Sequence, residues 1–186
     1  MQQAGLQLNH TVWSCSERCI PLLIQQNVNG SIPFFNRSWE EFKVGFNDSR
    51  GNYWLGNELL HQLTMTNRYK LRFDLVWSGS FSSVHYGLFV VLSEQTNYTL
   101  LVSGYSGCCS YGDALGYLNR MMFTTYDRDN DPWTHSNPRY KNNCAVYHGC
   151  GFWYKDCGDC GVNASSDDFA WGRWTLQSSR MWLVCF

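Results

Sequence analysis

Between Phe123 and Arg180 the chain loses every regular hydrophobic period and decays into Asp, Asn, Gly and Cys. That stretch constrains the fold more than any other feature. A segment so long cannot sit in a compact domain on backbone ladders alone; side chains must tie it down, and such segments are usually functional. Four of the chain's nine cysteines fall inside it. Disulfides and a bound metal are the two candidate ties. Nine cysteines in 186 residues also point to an oxidising compartment, and an odd number leaves at least one without an intramolecular partner.

Aromatic residues make up 17% of the chain and charged residues 16%. Large flat side chains therefore supply much of the core volume, and the Trp and Tyr among them bring polar tips that need partners. This suits a loop-rich domain better than a helical bundle. The net charge of −1 gives no electrostatic case for nucleic acid or an acidic membrane surface. Asn9, Asn29, Asn36, Asn47, Asn97 and Asn163 each open an Asn-x-Ser/Thr sequon, the acceptor signal of a secreted glycoprotein. Residues 1–9 lack the apolar core of a signal peptide, so a mature form or a fragment is expected. No apolar run reaches the roughly 20 residues of a membrane helix.

Leu22, Leu23 and Ile24 open a short strand, and Asn29-Gly30 signals a turn. Residues 39–46 (WEEFKVGF) fit either a short helix or a loop. Residues 58–64 read as a brief helix with Leu59, Leu60 and Leu63 on one side. Residues 69–75 alternate apolar and polar, as in a half-buried strand. Residues 87–92 (GLFVVL) read as a central strand and 98–102 as another. Residues 180–186 resume a regular pattern. Trp39, Trp54 and Trp77 are expected in the core.

Within the irregular stretch, residues 125–131 read TYDRDND. Asp127, Asp129 and Asp131 place carboxylates at alternate positions of a tight loop, where they repel one another unless a cation intervenes. Calcium takes six to eight oxygens from such carboxylates, backbone carbonyls and water. The EF-hand Gly and closing Glu are absent. A calcium loop and a solvated acidic turn, in which Asp and Asn are common, both fit the residues.

TYDRDND, followed by Asn143-Cys144-Ala145 and by residues 149–154 (GCGFWY) with Cys157, resembles the C-terminal half of a fibrinogen-like domain. This is the module of fibrinogen β and γ chains, ficolins, tachylectins, angiopoietins and tenascins. Upstream, Asn29-Gly30-Ser31, residues 35–39 (FNRSW), residues 42–46 (FKVGF) and residues 53–57 (YWLGN) follow the family's order and spacing. The resemblance implies an α+β fold with a twisted, mainly antiparallel sheet, short helices and a loop-rich C-terminal region stabilised by a disulfide and calcium. It covers residues 22–186 and lacks the family's usual N-terminal subdomain, with 1–21 an atypical segment in its place. It further implies a Cys144–Cys157 disulfide and a cis peptide bond before Cys157. Calcium would be held by the side chains of Asp129 and Asp131 and the carbonyls of Trp133 and His135, with Asp127 just outside.

The departures bear on specificity. Twelve residues (PWTHSNPRYKNN) separate Asp131 from Cys144, more than the common family pattern. Cys108, Cys109, Cys150, Cys160 and Cys185 are additional, and Cys108-Cys109 fits either a vicinal disulfide or separate pairs. The acetyl-binding pocket of some members maps onto His148, Trp153, Tyr154, Asp156, Cys157, Gly158 and Ser165. Here Gly158 stands where those members carry His, Ser165 near an expected Tyr, and His148 where Tyr is frequent. Phe169 and Trp171 could complete an aromatic recess around Trp153 and Tyr154.

Other chemistry fits poorly. The spacing of Cys144, Cys150, Cys157 and Cys160 is not a common zinc arrangement. Nothing helical follows the Cys157–Cys160 CxxC to activate a redox thiol. No nucleophile turn is present. The expectation is a secreted, calcium-binding recognition domain without enzymatic activity. It would bind carbohydrate or acetylated or anionic ligands in innate recognition, possible oligomerisation included. The alternative is a protein-binding signalling or matrix module.

Overall fold

The computed structural model describes residues 20–28, 34, 36–66, 68–107, 112–157, 161–164 and 168–185. Cys15, Cys19, Cys108, Cys109 and Cys160, with Asn9 and Asn29, lie outside them. The alternation at 69–75 becomes strand β4 (Tyr69–Trp77), in which Leu71, Phe73 and Leu75 are buried. Ser78 and Gly79 both take positive φ, 46° and 75°, so the two-residue turn matches the strand twist. β4 thereby pairs directly with β5 (Ser80–Val91), Trp77 opposite Ser80. β6 (Leu100–Gly107) follows antiparallel to β5. β1 (Leu22–Val28), β2 (Phe46–Asn47), β3 (Tyr53–Trp54) and β11 (Ser178–Cys185) complete a seven-stranded sheet in the order β2-β3-β1-β11-β4-β5-β6. Each neighbouring pair is antiparallel.

The last strand lies in the middle of the sheet. Residues 112–177 therefore form one excursion that leaves beyond edge strand β6 and returns to the centre. The excursion carries the two-stranded pairs β7 (Phe123–Thr124) with β8 (Phe152–Trp153) and β9 (Ala170–Trp171) with β10 (Trp174–Thr175).

Two short helices join β1 to β4. The helix-or-loop segment at 39–46 resolves as α1 (Trp39–Val44), started by a capping box: Ser38 accepts from the Glu41 N–H and Glu41 accepts from the Ser38 N–H. α2 (Asn57–Thr64) buries Leu60. Gly45 and Gly56 have φ of 90° and 108°, and a Cβ on either would fall within 2.8 Å of the facing backbone. Only glycine lets the end of α1 pass so close to the start of α2.

The inner sheet face (Ile24, Leu71, Phe73, Val84, Tyr86, Met181, Leu183) is covered by rings from both halves of the chain. Trp54, Phe42, Phe123 and Trp153 pack with centroids 5.2–6.2 Å apart, and Trp171 lies 4.7 Å from Phe73. Burying such rings is the main stabilising contribution.

Two local expectations shift. The strand read at 98–102 begins at Leu100, because Asn97 and Tyr98 take left-handed φ of 53° and 50°, and Tyr98 instead stacks on Trp39 at 5.5 Å. Trp39 and Trp54 are core, but Trp77 is half-buried against Trp174 at 4.2 Å.

Candidate functional site

The acidic loop is fixed at its base. Thr125 and Arg128 exchange backbone hydrogen bonds, and Asn143 Nδ2 donates to the Thr125 carbonyl. Asp127 turns toward α1: its Oδ1 accepts from the Trp39 N–H at 2.9 Å and from Thr125 Oγ1 at 2.8 Å. Arg128 stacks over Trp39 at 4.0 Å and donates to Asn97 Oδ1 at 2.7 Å. Asp131 points the other way. Its two oxygens accept from the Trp133 N–H and the Cys144 N–H, both at 3.0 Å. Burial, with the Asp129 carboxylate adjoining, pushes its carboxyl up to about 6.

Asp131 thus grips the first residue of α3 (Cys144–His148), whose N-cap Asn143 accepts from the Val146 N–H. Cys144 is joined to Cys157, the pairing that the resemblance implied. Acidic loop, helix and disulfide form one tied unit. The bend at Cys157 is made differently from expectation. Among the described residues no peptide bond is cis, and Cys157 turns the chain through a φ of 56°.

Residues 132–148 present a face of rings. Trp133 contacts His135 (centroids 5.0 Å) and Tyr147 (5.6 Å), and Tyr140 contacts His135 (5.3 Å) and Tyr147 (4.9 Å). Tyr147 meets His148 at 4.8 Å, and His148 stacks on Tyr154 at 5.5 Å. The rings run from exposed (His135, Tyr147) through half-buried (Trp133, Tyr140, His148) to buried (Tyr154). His148 Nε2 donates to the Cys157 carbonyl at 2.7 Å, since a carbonyl can only accept, and Nδ1 lies 3.3 Å from Asp168 Oδ2. The backbone of the loop is held by its own side chains: the His135 N–H donates to Asn142 Oδ1, and the Asn137 N–H donates to His135 Nδ1.

The expected recess around Trp153 and Tyr154 is not a surface. Trp153, Phe169 and Trp171 are at most 1% exposed and Tyr154 is 2% exposed. Trp153 Nε1 donates to the Tyr98 carbonyl and Tyr154 OH to the Cys150 carbonyl. Their polar tips are satisfied inside, so these rings are core. Cys150 is a buried free thiol, pushed up to about 12 by burial. Asp156 accepts from Tyr117 OH at 2.8 Å. Gly158 and Ser165 lie outside the described residues.

Asn163 also departs from expectation as a glycan acceptor. It is buried, its Nδ2 donates to the Gly151 carbonyl, and its Oδ1 accepts from Gln25 Nε2. Gln25 and Asn27 further bind the carbonyls of Val162 and Ala164. This amide network anchors residues 161–164 to β1, and no local pattern announced it. Tyr140, Tyr147 and Asp168 were also missed. The available signal was an aromatic residue at every seventh position, Trp133, Tyr140 and Tyr147, in a stretch from 132 to 155 without one Asp or Glu.

Among the described residues no three His, Cys, Asp or Glu side chains gather as a metal cluster, so a cation here would have only Asp129 and Asp131 as charged ligands. Asp129 Oδ1 lies at the Asp131 N–H, 3.4 Å away. Each Asp131 oxygen keeps a lone pair beyond its backbone bond, and neither carboxylate has an ion-pair partner among the described residues. Two carboxylates would need loop carbonyls and water to complete the six to eight oxygens of a calcium shell.

The profile of the family described as fibrinogen beta and gamma chains, C-terminal globular domain, matches residues 18–182. Fibrinogen C domain-containing protein 1-A of Xenopus laevis is 34% identical over 168 residues, 82% of this chain and 35% of that protein. Angiopoietin-related protein 6 of Mus musculus is 37% identical over 142 residues, 76% of this chain and 29% of that protein. The chain thus spans about a third of the length of these curated relatives. Among solved structures, the fibrinogen-like globe domain of human ANGPTL6 superposes with a TM-score of 0.74 at 29% identity, over 88% of this chain and 77% of that one. A lamprey fibrin D-dimer complexed with the peptide Gly-His-Arg-Pro-amide gives 0.67 at 27%, over 87% and 60%. The chain belongs to the fibrinogen C-terminal globular domain family.

Proposed function

We propose that this chain is a secreted, non-enzymatic recognition domain that holds calcium in its acidic loop and binds a protein ligand through the rings of residues 132–148. The observation that carries this reading is the cluster of exposed His135 and Tyr147 with half-buried Trp133 and Tyr140, on a loop braced by Asn142, Asp131 and the Cys144–Cys157 disulfide. Rigid amphipathic rings among Ser, Asn and Arg are the composition of protein-binding loops, and Trp, Tyr and Arg dominate interface energetics. The lamprey neighbour's peptide complex supports it.

A second reading, lectin-like binding of carbohydrate or of acetylated or anionic ligands, draws on one contact. His148 and the exposed Asp168 place a polar pair beside the open Tyr147 ring. Burial of Trp153 and Tyr154 removes the walls that a sugar pocket would have used, so this reading ranks second.

Calcium would be held by Asp129 and Asp131 with carbonyls of the following turn, where Trp133 and His135 lie. Bound there, it would neutralise the paired carboxylates and stiffen the base of the aromatic loop.

The test is parallel binding to an array of extracellular protein ectodomains and to a glycan array, each in calcium and in chelator. Tyr147→Ala, which removes an exposed ring, should cost about 2 kcal/mol of ligand affinity while leaving the melting temperature nearly unchanged. Trp133→Ala should cost a similar affinity together with a lowered melting temperature, because Trp133 also packs on the core. A ligand that ignores both substitutions would rule out this face. Calcium at a hundred times its dissociation constant should stabilise the fold by about 2.7 kcal/mol, an increment that Asp131→Ala removes. Equal melting in calcium and chelator would remove calcium from the reading.

A further inference from the structure

The sequons are not equivalent in the fold. Asn163 is buried with both ends of its amide engaged. Asn97 is half-buried, its Oδ1 accepting from Arg128 and its Nδ2 facing Met122 Sδ. Asn47 is exposed on the sheet's edge strand β2. Asn36 is exposed too, and no hydrogen bond engages its side chain among the described residues. Its φ of 50° is a left-handed turn conformation that Asn tolerates. The rest of its sequon is fixed. Arg37 pairs with Glu41 at 2.6 Å, and Ser38 closes the capping box.

The placement of Asn36 matters more than its exposure. Its N–H donates to the Gly149 carbonyl at 2.8 Å. Gly149 is the C-cap of α3 and directly follows Tyr147 and His148, the end of the aromatic face. We propose that Asn36 carries an N-linked glycan that forms a rim of the aromatic face, and that the folded protein carries none at Asn163. The rim rests on the reading of residues 132–148 as the ligand surface; the glycan assignment does not.

In the transfer the amide nitrogen of Asn36 attacks the anomeric carbon of a lipid-diphosphate-linked oligosaccharide. A nitrogen–carbon bond forms, the carbon–oxygen bond to phosphate breaks, the amide loses one proton, and the lipid diphosphate leaves. At Asn163 the same product could not fold. Nδ2 has to lie in the interior against the Gly151 carbonyl, where a bulky polar glycan has no room.

The test uses the chain secreted from eukaryotic cells. Release by peptide N-glycosidase in heavy-oxygen water marks each glycan-bearing Asn as labelled Asp, read by peptide mass spectrometry. Asn36 should be labelled and Asn163 unlabelled; an unlabelled Asn36 or a labelled Asn163 in folded protein overturns the assignment. The rim is read by hydroxyl-radical footprinting of Tyr147, comparing glycosylated protein with Asn36→Asp, which keeps the left-handed turn. Loss of Tyr147 protection in the variant is expected, with the exposed Phe81, outside residues 132–148, as the reference ring. Ser38→Thr keeps both cap and sequon and should keep the protection. Equal labelling of Tyr147 with and without the glycan overturns the rim. Because no ligand enters either measurement, their failure is distinct from failure of the proposed function.

Discussion

Residues 20–107 and the excursion 112–177 are held by different physics. The first region is a ladder whose inner face alternates Leu71, Phe73 and Leu75 against Val84 and Tyr86. Its stability is spread over many apolar contacts. Among its described residues the second region has two-residue strands, a five-residue helix and two three-residue 3-10 turns to offer. Beyond the rings it lends to the shared core, such as Phe123, Trp153 and Trp171, it is held by points: one disulfide, Asp131 on Cys144, Asp127 on Trp39, and the Gln25, Asn27 and Asn163 amides. A distributed core fails as a whole, whereas a set of point ties can fail one at a time. The segment that carries the ligand face is therefore the one whose local order can be tuned without unfolding the domain.

The largest expected effect tests the distributed half. Trp54 is fully buried, contacts Phe42, Phe123 and Trp153, and donates through Nε1 to the Phe42 carbonyl. Trp54→Ala should cost about 3–5 kcal/mol, seen as a lowered urea midpoint that is the same by circular dichroism and by fluorescence. A loss confined to one probe would mean that the halves do not share a core.

Next comes the disulfide. Cys144 and Cys157 enclose a separation of 13 residues, and closing such a loop is worth about 3 kcal/mol in the chain-entropy model. Replacing both by Ala should cost about that much. Faster amide exchange should appear first at residues 143–157, while β4 and β5 stay protected. Uniform acceleration across the sheet would break the distinction between the regions.

The same division decides what could be read in advance. Strands β4 and β11 and helix α2 follow from periods of 2 and 3.6, which are local, and the burial of Trp39 and Trp54 from the size of their rings. The acidic loop and the Cys144–Cys157 pair were legible through their resemblance to a known module. The amide network was not, because Gln25 reaches Asn163 across 138 residues, and no local pattern encodes such a pairing. Trp153 and Tyr154 misled for a related reason. Aromatic rings beside a disulfide suit a pocket and a core equally, and only the Tyr98 carbonyl at 2.7 Å from Trp153 Nε1 decides for the core. Tyr140 and Tyr147 stood in plain view at their seven-residue spacing, but a spacing without a continuous helix has no geometric meaning until the loop is folded.

The smallest expected effect probes the seam. α1 has its own N-cap in Ser38, yet Ser38 serves the Glu41 N–H and leaves that of Trp39 to Asp127, 88 residues away. A cap acceptor is worth about 1 kcal/mol, and a negative charge at a helix N-terminus adds about 0.3–1 kcal/mol. Asp127→Ala should therefore lower stability by about 1 kcal/mol. Asp127→Asn, which keeps the acceptor and removes the charge, should cost only the smaller electrostatic part. Both losses should be the same in calcium and in chelator, because Oδ1 of Asp127 is committed to Trp39 and Thr125 rather than to Asp129 and Asp131. Thermal melts of Asp127→Ala and Asp131→Ala, each with and without calcium, separate the two roles. If Asp127→Ala abolished the calcium increment as Asp131→Ala should, the acidic loop would be a single three-carboxylate unit. Asp127 would then serve the cation as well as the Trp39 N–H.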